Sequence, residues 1–395
     1  MIILTKYIQP RIRQALPIDT QPPQLTPGQS IQRAIQDGRV DLVQEVLEDT
    51  AFDLNAPCDP EEHESVSPLI VALRTGNPEI VALIMQQPRF ELVRSLPPFD
   101  AFAWARSCSL EVLALFLACP ASDANQQDGN GRALLHEVIH DKDGLKKLQR
   151  LLDMENIIVD IKQSDDSTPL YQAALHGNLD AVELLLQYPV DVNNHNNINR
   201  WTVLMCAVSQ NHVAIAEKLL KQKEIKVNAS DDFQNSALHI AAERGYLQMV
   251  TLLLEHPGIE INAKNHIGMM ALTKAVFVGS VEIVERLLAR PELEINLVDN
   301  DRQSALYWAA SVGNLEMIRL LLTHPHINLM ITNRPSKYTA CGIAEVLGFD
   351  AMAALLKQEM KISVDVDELS ANDSYKERVI ESPSAPTQPI IPGDS

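Results

Sequence analysis

Basic residues are scarce in this chain. It has 33 Lys and Arg against 52 Asp and Glu, a formal charge of −19. A field of that sign repels phosphate backbones and anionic headgroups, which argues against nucleic acid and membrane surfaces as partners. Aromatic residues are also few, at 5 %. With hydrophobic residues at 46 %, the core must be built from Leu, Ile, Val and Ala, a composition that suits stacked helices better than a β-sandwich. The five cysteines (Cys58, Cys108, Cys119, Cys206, Cys341) include no C-x-x-C pair, and an odd number in a long chain describes no disulfide framework. No apolar run reaches membrane-helix length, and the opening MIILTKYIQPRIRQ meets Pro10 too early for a secretory signal. The expectation is a soluble, cytoplasmic protein in a reducing compartment.

What the chain does have is self-similarity. SALHIAAERGYLQMVTLLLEHPGIEINAKN from Ser236 matches SALYWAASVGNLEMIRLLLTHPHINLMITN from Ser304 and STPLYQAALHGNLDAVELLLQYPVDVNNHN from Ser167. Each reads as a short Ala-rich helix, a glycine turn, a Leu-rich helix and a hairpin-forming stretch. The aligned leucines Leu170, Leu204, Leu238, Leu272 and Leu306 recur every 34 residues. Alanines at Ala173, Ala207, Ala241, Ala275, Ala309 and Ala344 fit helices that approach closely, and glycines at Gly177, Gly245, Gly279, Gly313 and Gly348 supply a positive φ between helices. Leucine pairs such as Leu252-Leu253 fill a core no single repeat can build alone.

The motifs Thr168-Pro169-Leu170, Ala237-Leu238-His239 and the turn glycines resemble the ankyrin repeat. The resemblance covers residues 30–358 and implies an all-α solenoid of about ten helix-turn-helix repeats. Residues 1–29 hold five prolines and are expected to be extended. Residues 359–395 end in SPSAPTQPIIPGDS and are expected to be mostly disordered after a short helix.

One stretch looks catalytic. HEVIH, His136 to His140, matches the zinc-protease pattern H-E-x-x-H. In register, however, Leu135-His136 falls on the ankyrin Leu-His, whose implied task is hydrogen bonding between neighbouring loops. The metzincin continuation would need glycine at Asp143 and histidine at Lys146. Cys58 and His63 form a second candidate, but Asp59, Glu61, Glu62 and Glu64 around them raise a thiol pKa, and an exposed loop cysteine is the simpler reading. No phosphate loop or nucleophile elbow is present. We therefore expect no catalytic residue, metal or cofactor. A metal site at HEVIH or a Cys58/His63 site remains the alternative.

The resemblance implies a concave binding face made of hairpin tips and the exposed ends of first helices. Read column by column, that face holds His140, Leu175, His176, Trp201, Phe233, Arg244, Ile267, Met269, Phe277 and Val278. Large apolar side chains at positions expected to face water need a reason, and partner binding supplies one. Packing onto the next hairpin supplies another. The expected partner is a protein, bound by a monomer. The hairpin endings LLLEHPGIEINAKN and LLARPELEINLVDN also resemble those of ankyrin-repeat effectors of intracellular bacteria of the Legionella and Coxiella type. That implies type IV secretion guided by the tail, whose Asp365, Asp367, Glu368 and Ile390-Ile391 are compatible with such a signal.

Overall fold

The structure, a computed structural model, describes residues 25–49, 51–58, 66–87, 109–118, 123–140 and 144–360. The described residues form nineteen helices, with β-structure confined to isolated bridges. The chain divides into two units, Met1–Ile157 and Ile158–Ser395.

The first unit holds α1 (Pro27–Gln36), α2 (Val40–Glu48), α3 (Pro68–Thr75), α4 (Pro78–Met85), α5 (Leu110–Ala118), α6 (Leu134–Val138) and α7 (Gly144–Leu152). α1 starts ahead of the expected boundary at residue 30. Thr26 caps it, accepting from the Gln29 N–H at 3.2 Å, and Pro27 occupies the first turn, where a missing N–H does no harm. Helix pairs α1–α2 and α3–α4 stack, first helix on first and second on second.

The second unit is more regular. Five pairs follow one another: α8 (Pro169–Leu175) with α9 (Leu179–Leu185), α10 (Val203–Ser209) with α11 (Val213–Leu220), α12 (Ala237–Glu243) with α13 (Leu247–Leu254), α14 (Ala271–Val278) with α15 (Val281–Leu288), and α16 (Ala305–Ser311) with α17 (Leu315–Leu322). A sixth, α18 (Ala340–Val346) with α19 (Asp350–Met360), closes the series. First helices start on a side-chain cap: Thr168, Thr202, Ser304 and Thr339 each accept from the N–H three residues on. They end on a left-handed residue, such as Gly177 at φ 74°. Asn211 takes that role after α10 at φ 57°.

Stacking explains the columns. The alanines from Ala173 to Ala344 are fully buried because α8, α10, α12, α14, α16 and α18 pack directly on one another. Within the Leu252-Leu253 pair only one member goes fully inside, Leu253 being buried and Leu252 half-buried at the rim, whereas Leu184 and Leu185 are both buried. An asparagine after each of α9, α11, α13 and α15 ties repeats together. Asn228 donates from Nδ2 to Gly258 O at 2.7 Å and accepts the Glu260 N–H at 3.0 Å. Asn193, Asn262 and Asn296 make the same pair of bonds to their own neighbours. Asp160 occupies the equivalent station and accepts from Asp191 N–H at 2.7 Å, but its Oδ1 is buried with no hydrogen-bond partner.

Candidate interaction face

Each hairpin in the second unit is built around an Asp or Asn that folds the chain back on itself. Asp231 Oδ1 accepts the N–H groups of Phe233 at 2.9 Å and Asn235 at 2.7 Å. Asn265 does the same for Ile267 and Met269, and Asp299 for Asp301 and Gln303. The chain then passes through a left-handed residue: Asp166, Arg200, Gln234, Gly268, Arg302 or Lys337. Gly268 suits this position. Its φ is 82°, and a Cβ there would come within 2.7 Å of the Asn300 nitrogen. Neither the Asp/Asn column nor the left-handed column entered the sequence reading, although the recurring Asp or Asn a few residues before each Ser/Thr cap was a visible signal.

Neighbouring tips are joined by main-chain bonds. Asn199 O accepts from Asp232 N–H at 3.2 Å, Phe233 O from His266 N–H at 3.0 Å, Ile267 O from Asn300 N–H at 3.0 Å and Asp301 O from Arg334 N–H at 2.7 Å. The tips therefore form one continuous ladder across consecutive repeats.

Of the ten residues assigned to the face, nine lie in the second unit and His140 in the first. Phe233, Ile267, Phe277, Val278, His176 and Arg244 are exposed, and Trp201 and Leu175 are half-buried. Met269 departs from expectation. It is buried, with its N–H held by Asn265 Oδ1 at 2.9 Å and its carbonyl contacted by His239 Nε2 at 3.1 Å. Two of the exposed rings also lean on the next repeat. Phe233 lies 5.3 Å from the His266 ring, and Phe277 stands edge-on to Trp308. The binding and packing readings thus describe the same side chains. Two residues were missed: Ile198, at 71 % the most exposed large apolar residue among the described residues, on the tip preceding Phe233, and Trp308, which meets Phe277 in an edge-on contact.

A family described as ankyrin repeats in three copies matches this chain three times, over residues 102–196, 188–265 and 267–367, well over half its length. The chain belongs to the ankyrin-repeat family. It is 30 % identical over 125 residues to an ankyrin repeat protein of fowlpox virus (strain NVSL), covering 31 % of this chain and 28 % of that protein. It is 28 % identical over 127 residues to the nuclear factor NF-kappa-B p105 subunit of Gallus gallus, covering 32 % and 13 %. It is 32 % identical over 75 residues to ankyrin repeat and SAM domain-containing protein 6 of Rattus norvegicus, covering 19 % and 8 %. The chain spans less than a third of the length of each of these relatives. Ankyrin repeats are protein–protein interaction modules, and this holds for the present array.

The ankyrin register also accounts for HEVIH. α6 ends at Val138, so His140 sits in the turn beyond the helix, exposed, while His136 is buried with Nδ1 accepting the Ala133 N–H at 3.1 Å. The two histidines do not share an open helix face, and Glu137 is buried with Arg132 3.6 Å away. Among the described residues no group of three or more potential metal ligands comes together. His239 shows what the histidine column does. Its Nδ1 accepts the Ser236 N–H at 3.2 Å and its Nε2 donates to Met269 O in the next hairpin at 3.1 Å, with burial lowering its pKa to about 4. Cys58 is not an exposed loop residue: it is buried, with its carbonyl pressed against Gly28. His63, Asp141, Cys108, Cys119, residues 1–24 and the tail beyond residue 360 lie outside the described residues.

Electrostatics along the first helices are local. Lys274 Nζ reaches Glu243 Oε2 of the preceding repeat at 2.8 Å, at the station where Trp308 meets Phe277 one repeat later. Asp299 is partly buried, which raises its carboxyl pKa, and its Oδ2 accepts from Trp308 Nε1 at 2.9 Å. Among the described residues no helix is long and apolar enough to cross a membrane.

Proposed function

We propose that this chain is a non-enzymatic scaffold whose second unit binds a protein partner along the hairpin tips and the adjoining ends of the first helices. The observation that carries this reading is the run of exposed apolar tips, Ile198, Phe233 and Ile267, on three consecutive hairpins of a single ladder. Gly268 and Gln234 beside them are polar or side-chain-free, and hydrophobic tips left in water are disfavoured unless covered. Phe277 and Val278 add exposed apolar residues at the end of first helix α14, and the half-buried Trp201 lies in the Ile198 hairpin.

The test is the paired substitution Phe233→Ser and Ile267→Ser, with thermal melts and affinity capture from cells measured side by side. Unchanged melting with loss of captured partners supports the face. Unchanged capture with unchanged melting removes it.

A finer reading, delivery of the protein into a host cell by type IV secretion, rests on the H-P hairpin endings around His256-Pro257 and on the tail composition. Fusing residues 360–395 to a translocation reporter tests it, and no secretion-dependent delivery rejects it.

A further inference from the structure

We propose that the tip ladder of the second unit takes an extended peptide in the polyproline II conformation, carrying apolar side chains about every third residue and continuing into an acidic run. This rests on the interaction face proposed above and names its ligand chemistry.

Spacing comes first. Adjacent tips are joined directly by main-chain bonds, and each hairpin contributes two chain segments. At about 4.8 Å per hydrogen-bonded neighbour, successive tips repeat every ~10 Å. A β-strand presents one face every ~6.8 Å and falls out of step. A polyproline II helix returns to the same face every three residues, about 9.3 Å, and stays in register with Ile198, Phe233 and Ile267 over three hairpins.

Charge comes second. The Ile198 hairpin has one exposed cation, Arg200, and the two hairpins past Ile267 hold three. Arg302, Arg334 and Lys337 are all exposed there, and none takes part in an ion pair among the described residues. One exposed carboxylate, Asp301, opposes these three cations, in a chain whose net charge is −19. Arg302 and Lys337 hold the left-handed station of their hairpins at φ 60° and 58°, the station that Asp166, Arg200 and Gln234 also fill without glycine and that Gly268 fills in the Ile267 hairpin. A peptide whose apolar residues meet the first three tips has its next turns over these cations, and carboxylates are the complement.

The experiment selects random 12-residue peptides displayed on phage against the full chain. Two variants run in parallel: Arg302→Gly/Lys337→Gly, and Phe233→Ser/Ile267→Ser. Selected peptides are expected to show apolar residues at intervals of three and an acidic run. Their affinity should fall about tenfold or more in the glycine variant, whose melting temperature stays level or rises, and should fall steeply with salt. Peptides without acidic enrichment, affinity unmoved by Arg302→Gly/Lys337→Gly, or no enrichment at all overturns the proposal. Peptides that lack acidic residues but still depend on Phe233 and Ile267 overturn the ligand chemistry and leave the interaction face standing. Indifference to both variants overturns both.

Discussion

The ring of Phe277 stands edge-on to the indole of Trp308 in the following repeat, centroids 5.4 Å apart and planes at 86°. Trp308 in turn donates from Nε1 to Asp299 Oδ2 in its own hairpin at 2.9 Å. One side chain thus locks a first helix to its neighbour and to the hairpin that precedes it. A double-mutant cycle on Phe277→Ala and Trp308→Ala should give a coupling of about 0.5–1.5 kcal/mol in urea unfolding. Trp308→Ala should be the more damaging single change, because it also strips a donor from a partly buried carboxylate.

Lys274 offers a sharper contrast. Its side chain is nearly buried while its partner Glu243 is half exposed. Removing the carboxylate leaves an ammonium in a poorly hydrated site, whereas removing the ammonium frees the carboxylate to water. Glu243→Ala should destabilise by about 1–2 kcal/mol, and Lys274→Met should be neutral or stabilising. Chemical denaturation of the two variants checks the order. A Lys274→Met protein weaker than Glu243→Ala would contradict it.

Asp160 stands where four other repeats use asparagine, and its buried Oδ1 finds no donor. Asp160→Asn should therefore raise stability at neutral pH by about 1 kcal/mol. Burial raises the Asp160 carboxyl pKa in the folded protein, so the native state takes up its proton before the unfolded chain does. The wild type then recovers relative stability as pH falls, and the advantage of Asp160→Asn should narrow toward acid. A gap that widens with acid would count against this placement.

His239 runs the other way. Its folded pKa of about 4 lies below the ordinary 6.5. Between those values an unfolded chain binds a proton that the folded chain refuses, so its contribution is complete above pH 6.5 and is lost as pH falls toward 4. The slope approaches about 1.4 kcal/mol per pH unit. Melts of wild type and His239→Gln across this range should converge as pH falls. A constant difference would contradict a neutral, buried His239.

Much of the array was legible because small and large residues recur at a fixed period. Ala241 and Leu238 can play only a few roles when neighbouring helices touch, and Gly245 marks the turn by lacking a Cβ. The hairpins were less legible. Met269 sits in a variable column, and its burial goes with a hairpin whose main chain is held locally by Asn265 and across repeats by His239. Arg302 and Lys337 hold left-handed backbone without being glycine, so the usual signal for that conformation was missing. Cys58 reads as solvated from its acidic neighbours, yet its burial depends on Gly28, thirty positions earlier, which no local pattern shows.

The most direct measurement places a photo-crosslinking residue at Phe233 on the tip ladder and, in a separate protein, at Glu316, which is exposed on the second helix α17. Illumination in cells should yield discrete protein adducts from position 233, reduced by excess unlabelled wild type, and none of these from position 316. Equal adducts from both positions, or adducts at 233 that wild type does not displace, would contradict a protein-binding face on the hairpin tips.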